Sequence, residues 1–169
     1  MIILAFLFSW VGDMFLMMAH TNELLFYAGV GGFFFAQIFY IITFLKVSGD
    51  QTIVGYLKCN PVWIIPFIIY LGIMLLILKP GMEGVMVPII TVYAISLIAM
   101  SAAALNRKFR VGQQSFKLVF IGSVFFVISD SMIAINKFAF AFERASFFII
   151  LTYLIAQYMI MRGLLKEWS

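Results

Sequence analysis

The sequence predicts an all-α fold, a polytopic bundle of about six membrane-spanning helices. Three observations predict it. Of the 169 residues, 65% are hydrophobic and 11% are charged, whereas a soluble domain is near half apolar and a quarter charged. The apolar residues fall into six runs of about span length, and the connections between the runs are short. A soluble core of this size could not enclose so much apolar side chain. At ~20 residues per span, about six helices fill the chain. Residues 1–169 are therefore expected to form a single transmembrane helical domain, with no appended cofactor-binding or nucleotide-binding module.

The runs cover residues 2–19, 24–45, 61–78, 84–105, 116–136 and 145–165, each apolar for too long to be a strand. The first has no basic start and is interrupted by Asp13, so it reads as a span rather than a signal peptide. Pro61, Pro66 and Pro88 fall in or just past the first turns of their helices, where a missing N–H costs least. The sequences Phe8-Ser9-Trp10-Val11-Gly12-Asp13 and Phe125-Phe126-Val127-Ile128-Ser129-Asp130 resemble each other. The following span in each case holds an Ala-Gln pair, Ala36-Gln37 and Ala156-Gln157. This pattern suits a parallel internal repeat.

The net charge of +4 is not a nucleic-acid signal, because the basic residues lie between apolar runs. There they orient helices and meet anionic headgroups. One side of the predicted bundle takes Lys46, Lys58, Arg107, Lys108, Arg110, Lys117, Arg162 and Lys166; the other takes Lys79, Lys137 and Arg144. The positive-inside bias predicts both termini in the cytoplasm and placement in the cell (inner) membrane. The single cysteine, Cys59, excludes an intrachain disulfide and a zinc cluster. With one histidine besides, no metal site is expected, and no motif calls for a cofactor.

Two acids lie deep in apolar runs, Asp13 and Asp130. A carboxyl group in hydrocarbon costs several kcal/mol, so it faces the bundle interior, finds a partner or stays protonated. It serves either as a structural hydrogen-bonding group or as a functional one. Asp13 and Asp130 lie 11 and 14 residues beyond the starts of their runs, about 17 and 21 Å along a helix. On helices of like direction the two carboxyls could share one cavity. Seven residues after each, on the same helical face, come His20 and Lys137. Such cations at a cavity mouth suit a lipid with a phosphate head, although an interfacial histidine and a snorkelling lysine are the plainer readings. Gln37 and Gln157 are the natural partners or positioning donors for the carboxyls. Tyr40 and Tyr93 join the candidate substrate-binding residues. They are weaker candidates, because hydroxyls in spans mostly hydrogen-bond between helices, as Thr91, Ser96, Ser129, Thr152 and Tyr153 also can.

These residues carry a family resemblance. The Gly12-Asp13 element and Ser129-Asp130-Ser131 after Ile121–Ile128 are its main motifs. Phe26-Tyr27-Ala28-Gly29, Ala36-Gln37-Ile38-Phe39-Tyr40, Pro88 with Tyr93, and Ala156-Gln157 extend it over nearly the whole chain. Together they resemble the YhhN family of membrane proteins, which includes the animal lysoplasmalogenases. Members typically have about eight spans, with helices ahead of the Gly-Asp element, near which this sequence begins. The position of Gln37 is often histidine in the family, which puts a proton-transfer role for that position in doubt. The resemblance implies hydrolysis of the vinyl-ether bond of a lysophospholipid, with Asp13 and Asp130 as the catalytic pair. Two other classes remain open on the residues alone: a small proton-coupled transporter, and a lipid-binding membrane protein without turnover.

Overall fold

All six apolar runs are helical in the computed structural model, which describes residues 1–19, 22–46 and 52–167. The helices are α1 (Ile2–Met18), α2 (Glu23–Lys46), α3 (Tyr56–Cys59), α4 (Ile65–Leu78), α5 (Met86–Leu105), α6 (Gln113–Phe138) and α7 (Ala145–Leu165). Turns of 3-10 helix at Pro61–Ile64 and Lys79–Gly81 extend α4 at both ends. There is no strand among the described residues. Five segments are long and apolar enough to cross a membrane: Glu23–Lys46, Pro61–Gly81, Met86–Leu105, Gln113–Phe138 and Ala145–Leu165. Helix α1, at 17 residues, is shorter. The chain divides into two compact units, Met1–Lys46 and Val47–Ser169.

The first unit is a helical hairpin closed through glycine. A Cβ on Gly32 would stand 2.9 Å from the Cα and N of Gly12, and one on Gly29 would stand 3.2 Å from the Gly12 carbonyl oxygen. Small residues let two backbones approach closely where no water drives the association. Aromatic rings continue the seam, with Phe8 stacked on Phe39 at 5.4 Å and Phe6 edge-on to Tyr40 at 5.9 Å. Gly31 meets nothing within 4 Å.

The second unit is built around α6. Glycine again sets the approach to α7: a Cβ on Gly122 would lie 3.0 Å from the Ala156 carbonyl oxygen, and one on Gly163 would lie 2.9 Å from the Val119 nitrogen. Hydroxyls join the other helices to it. Ser101 on α5 bonds Ser123 at 3.1 Å, and Tyr70 on α4 bonds Ser131 at 2.6 Å. Helix α4 is thinly covered: Met74 and Leu78 are its buried residues, while Ile68, Ile69, Ile73, Leu76 and Ile77 are exposed. Such an apolar outer face suits hydrocarbon. The short α3 is absent from the sequence reading. It depends on Asn106 at the end of α5, whose Oδ1 accepts the Leu57 N–H at 3.0 Å across 49 residues.

The two hairpins, α1–α2 and α6–α7, share a packing register. Position 29 and Ile149 each lie eight residues before the glutamine of their Ala-Gln pair. Gly29 packs on the Gly12 carbonyl, and the Ile149 carbonyl accepts the Ser129 hydroxyl at 3.0 Å. Gly12 and Ser129 are the residues preceding the two aspartates. Three residues beyond each glutamine, Tyr40 packs on Phe6 and Ile160 on Gly122. Similar local sequence thus accompanies comparable contacts beside the two aspartates.

Arg107 departs from its expected role as a solvated orienting charge. It is 1% exposed, and its Nη2 donates to Ser115 Oγ at 3.4 Å. Burial pushes the guanidinium pKa down to about 10, and Glu167, just past α7, acts in the opposite sense. The group stays cationic near neutral pH, so its desolvation is a standing cost that Glu167 offsets in part.

Two stability predictions follow from these contacts. Gly32→Ala drives a methyl into the Gly12 backbone and lowers stability by about 1–3 kcal/mol, while Gly31→Ala is neutral or slightly stabilising; thermal unfolding in detergent compares them. Glu167→Gln removes the charge that balances Arg107. It lowers the unfolding midpoint by about 2–4 °C, the equivalent of ~1 kcal/mol for a chain of this size.

Candidate functional site

Asp130 lies on α6 and is 4% exposed. Tyr93, on α5, donates its hydroxyl to Asp130 Oδ2. This contact joins two residues 37 apart in sequence, one read from sequence as a catalytic candidate and the other as a weaker binding candidate. A bond of this kind, between helices, fixes the carboxyl's rotamer.

A second pair of hydroxyls stands beside the first. Ser131 donates its only proton to the Val127 carbonyl at 2.6 Å, one turn back on α6. Tyr70 must therefore be the donor in its 2.6 Å bond with Ser131. The phenol oxygen of Tyr70 keeps its lone pairs available as acceptors. Tyr70, Tyr93, Asp130 and Ser131 line one cavity of about 30 Å³, whose remaining wall is apolar and includes Met74 and Leu97. A cavity of that size has room for about one water, given two or more polar partners. Its chemistry is that of a carboxyl group, two phenols and a serine enclosed by hydrocarbon side chains.

The other candidates fall in different places. Asp13 is half-buried on α1, one residue past the Gly12 crossing. In the same hairpin, Gln37 and Tyr40 are both fully buried on α2. Tyr40 is held between the rings of Phe6 and Phe44. Ser9, one turn before Asp13, is 1% exposed, and its hydroxyl makes no hydrogen bond among the described residues. On the second unit Gln157 is half-buried on α7 and Lys137 is exposed near the end of α6. His20 lies outside the described residues.

Tyr70 was not singled out by the sequence. The signal that could have found it is weak: a lone hydroxyl-bearing residue in a run otherwise made of aliphatic and aromatic side chains. Ser131 was visible as part of the Ser129-Asp130-Ser131 motif, but nothing local indicated that it reaches a residue 61 positions earlier.

These features define a polytopic helical membrane protein that holds a carboxyl group, with a tyrosine partner, inside its bundle. The chain belongs to the YhhN family, which it matches over residues 1–164. No curated protein and no solved structure matches it.

Removing the phenol donor tests the geometry without reference to any substrate. Tyr93→Phe leaves the buried carboxyl short of its partner and is expected to cost about 1–3 kcal/mol. Tyr158→Phe, on the exposed face of α7, serves as the matched control and leaves the unfolding midpoint unchanged.

Proposed function

We propose that the protein is an intramembrane lipid hydrolase of the lysoplasmalogenase type. Its reaction would convert a lysoplasmalogen and water into a fatty aldehyde and a glycerophospho-base. The observation that carries the reading is the buried Asp130 carboxyl beside a water-sized cavity, on a helix that crosses hydrocarbon. Membership of the YhhN family is compatible with a hydrolase.

The chemistry asks for what these side chains offer. Acid hydrolysis of a vinyl ether begins with proton transfer to the alkenyl carbon that does not bear oxygen. This leaves an oxocarbenium ion at the carbon that does. Water adds there, and the hemiacetal collapses to aldehyde and alcohol. One carboxyl in its protonated form is the general acid. The other, ionised, stabilises the cation and accepts a proton from water. Asp13 and Asp130 are the two carboxyls in this reading. A water in the cavity would donate to the Tyr70 oxygen and to the carboxyl, leaving its own lone pair for the cation. Tyr93 positions Asp130, and Gln37, Tyr40, Gln157, His20 and Lys137 are the further residues proposed to bind substrate. The substrate's chain would enter along α4, the least covered wall of the cavity. The distribution of basic residues supports an orientation with both termini in the cytoplasm.

The test is mass spectrometry of lipids after incubation of detergent-purified protein with a 1-alkenyl lysophospholipid. Aldehyde and glycerophospho-base should appear in equal amounts. Asp130→Asn and Asp13→Asn should each abolish the reaction while the unfolding transition is retained. Tyr70→Phe should lower kcat by about 10–100-fold, the scale of a lost positioning contact, with little change in KM. No aldehyde from the wild-type protein, or full activity in both aspartate variants, would overturn the reading.

A further inference from the structure

Residues 107–117, the connection after α5 and the first residues of α6, contain Arg107, Lys108, Arg110 and Lys117 and no acid. A short connection between two spanning helices lies at the membrane–water boundary, so this is an interfacial basic segment. Arg107 is turned inward, as described above. Lys108 and Lys117 instead line a cavity of about 380 Å³ together with Phe109, Val111, Gln113 and Phe116. That volume falls within the roughly 300–1,000 Å³ of small-ligand sites.

The aromatic residues give the segment a second character. Lys108 Nζ lies 4.3 Å from the ring centre of Tyr56 and 5.1 Å from that of Phe109. The Tyr56 and Phe109 rings meet edge to face at 5.7 Å, and Trp63 lies 6.3 Å from Tyr56. Lys108 is thereby held at the cavity by two rings instead of extending into water. Phe109 has φ +69°, a left-handed conformation rare for an aromatic residue. The residue is 70% exposed. In water an exposed ring on a strained residue is unfavourable. At a bilayer boundary the ring reaches the acyl region while the neighbouring lysines stay at headgroup level.

We propose that this cavity binds the phosphate of an anionic phospholipid, with Lys108 and Lys117 as cationic contacts and Phe109 set among its acyl chains. The site is separate from the carboxyl site. Asp130 lies seventeen residues beyond Gln113 on α6, about 26 Å of helix. The partner follows from charge complementarity: a cavity lined by two lysines and no acid, at headgroup depth, beside an apolar wedge. Polybasic segments next to spanning helices attract anionic lipid by an amount that corresponds to about fivefold per cation.

The test is native mass spectrometry of the full chain, released from mixed micelles holding equal phosphatidylglycerol and phosphatidylcholine. The wild-type protein should retain phosphatidylglycerol preferentially, and added salt should weaken the preference. Lys117→Gln should reduce retention about fivefold, and Lys108→Gln with Lys117→Gln about thirtyfold. Phe109→Gly relieves the left-handed backbone, so its unfolding midpoint should hold or rise while lipid retention falls. That result separates lipid binding from folding. Equal retention of both lipids by the wild-type protein overturns the proposal, as does undiminished retention by the double lysine variant. Displacement of the lipid by soluble glycerol phosphate would also overturn it, because the phosphate would then be recognised without its chains.

Discussion

Helix α6 takes four serines and an aspartate into its spanning segment, and each of them reaches a partner. Ser115 meets Arg107 in the preceding connection, Ser123 meets Ser101 on α5, and Ser129 meets the Ile149 carbonyl on α7. Asp130 meets Tyr93 on α5, and Ser131 meets Tyr70 on α4. Hydrocarbon offers no water to satisfy a polar side chain, so partners must come from the protein. That requirement binds α4, α5 and α7 to α6. The glycines at positions 122 and 163 then bring α7 to backbone contact. Polar satisfaction fixes which faces meet, and small residues fix how closely.

The same requirement explains the uneven packing of the second unit. Helix α7 lies against α6 along its length and needs few hydrogen bonds to hold it. Helix α4 buries little, and its link to α6 rests on Tyr70 and on the turn at Gly81. There a Cβ would come within 1.7 Å of the Phe138 carbonyl oxygen. The wall with the least apolar contact is thus the wall that carries a cavity-lining phenol. A lipid hydrolase needs one side of its site to admit a chain from the bilayer, and weak packing on α4 is compatible with that demand.

How much of this was legible in the sequence depends on the range of the interaction. The spans were legible because a run of apolar residues needs no partner to declare itself. The observed helices begin and end within four residues of the runs read from sequence. Asp13 and Asp130 were legible for a related reason: a carboxyl in hydrocarbon is costly whatever surrounds it. Their surroundings were not. Tyr93 and Tyr70 reach the Asp130 region from other helices, and no local pattern encodes a contact over tens of residues. Arg107 was misread because a cluster of loop cations hides the one that turns inward. The four-residue α3 was missed because its stabilising carboxamide, from Asn106, lies at the far end of α5.

The repeat carries the comparison of the two aspartates further. In both hairpins the residue before the aspartate makes the close contact with the next helix, but the residue type differs. Gly12 brings backbones together, whereas Ser129 places a hydroxyl between them. Asp130 consequently sits among hydroxyl groups and is almost fully buried, while Asp13 follows a glycine crossing and is half-buried. A pair of carboxyls can divide acid and base work only if their environments differ. A glycine before one carboxyl and a serine before the other make the two environments unlike, as the proposed division of work requires.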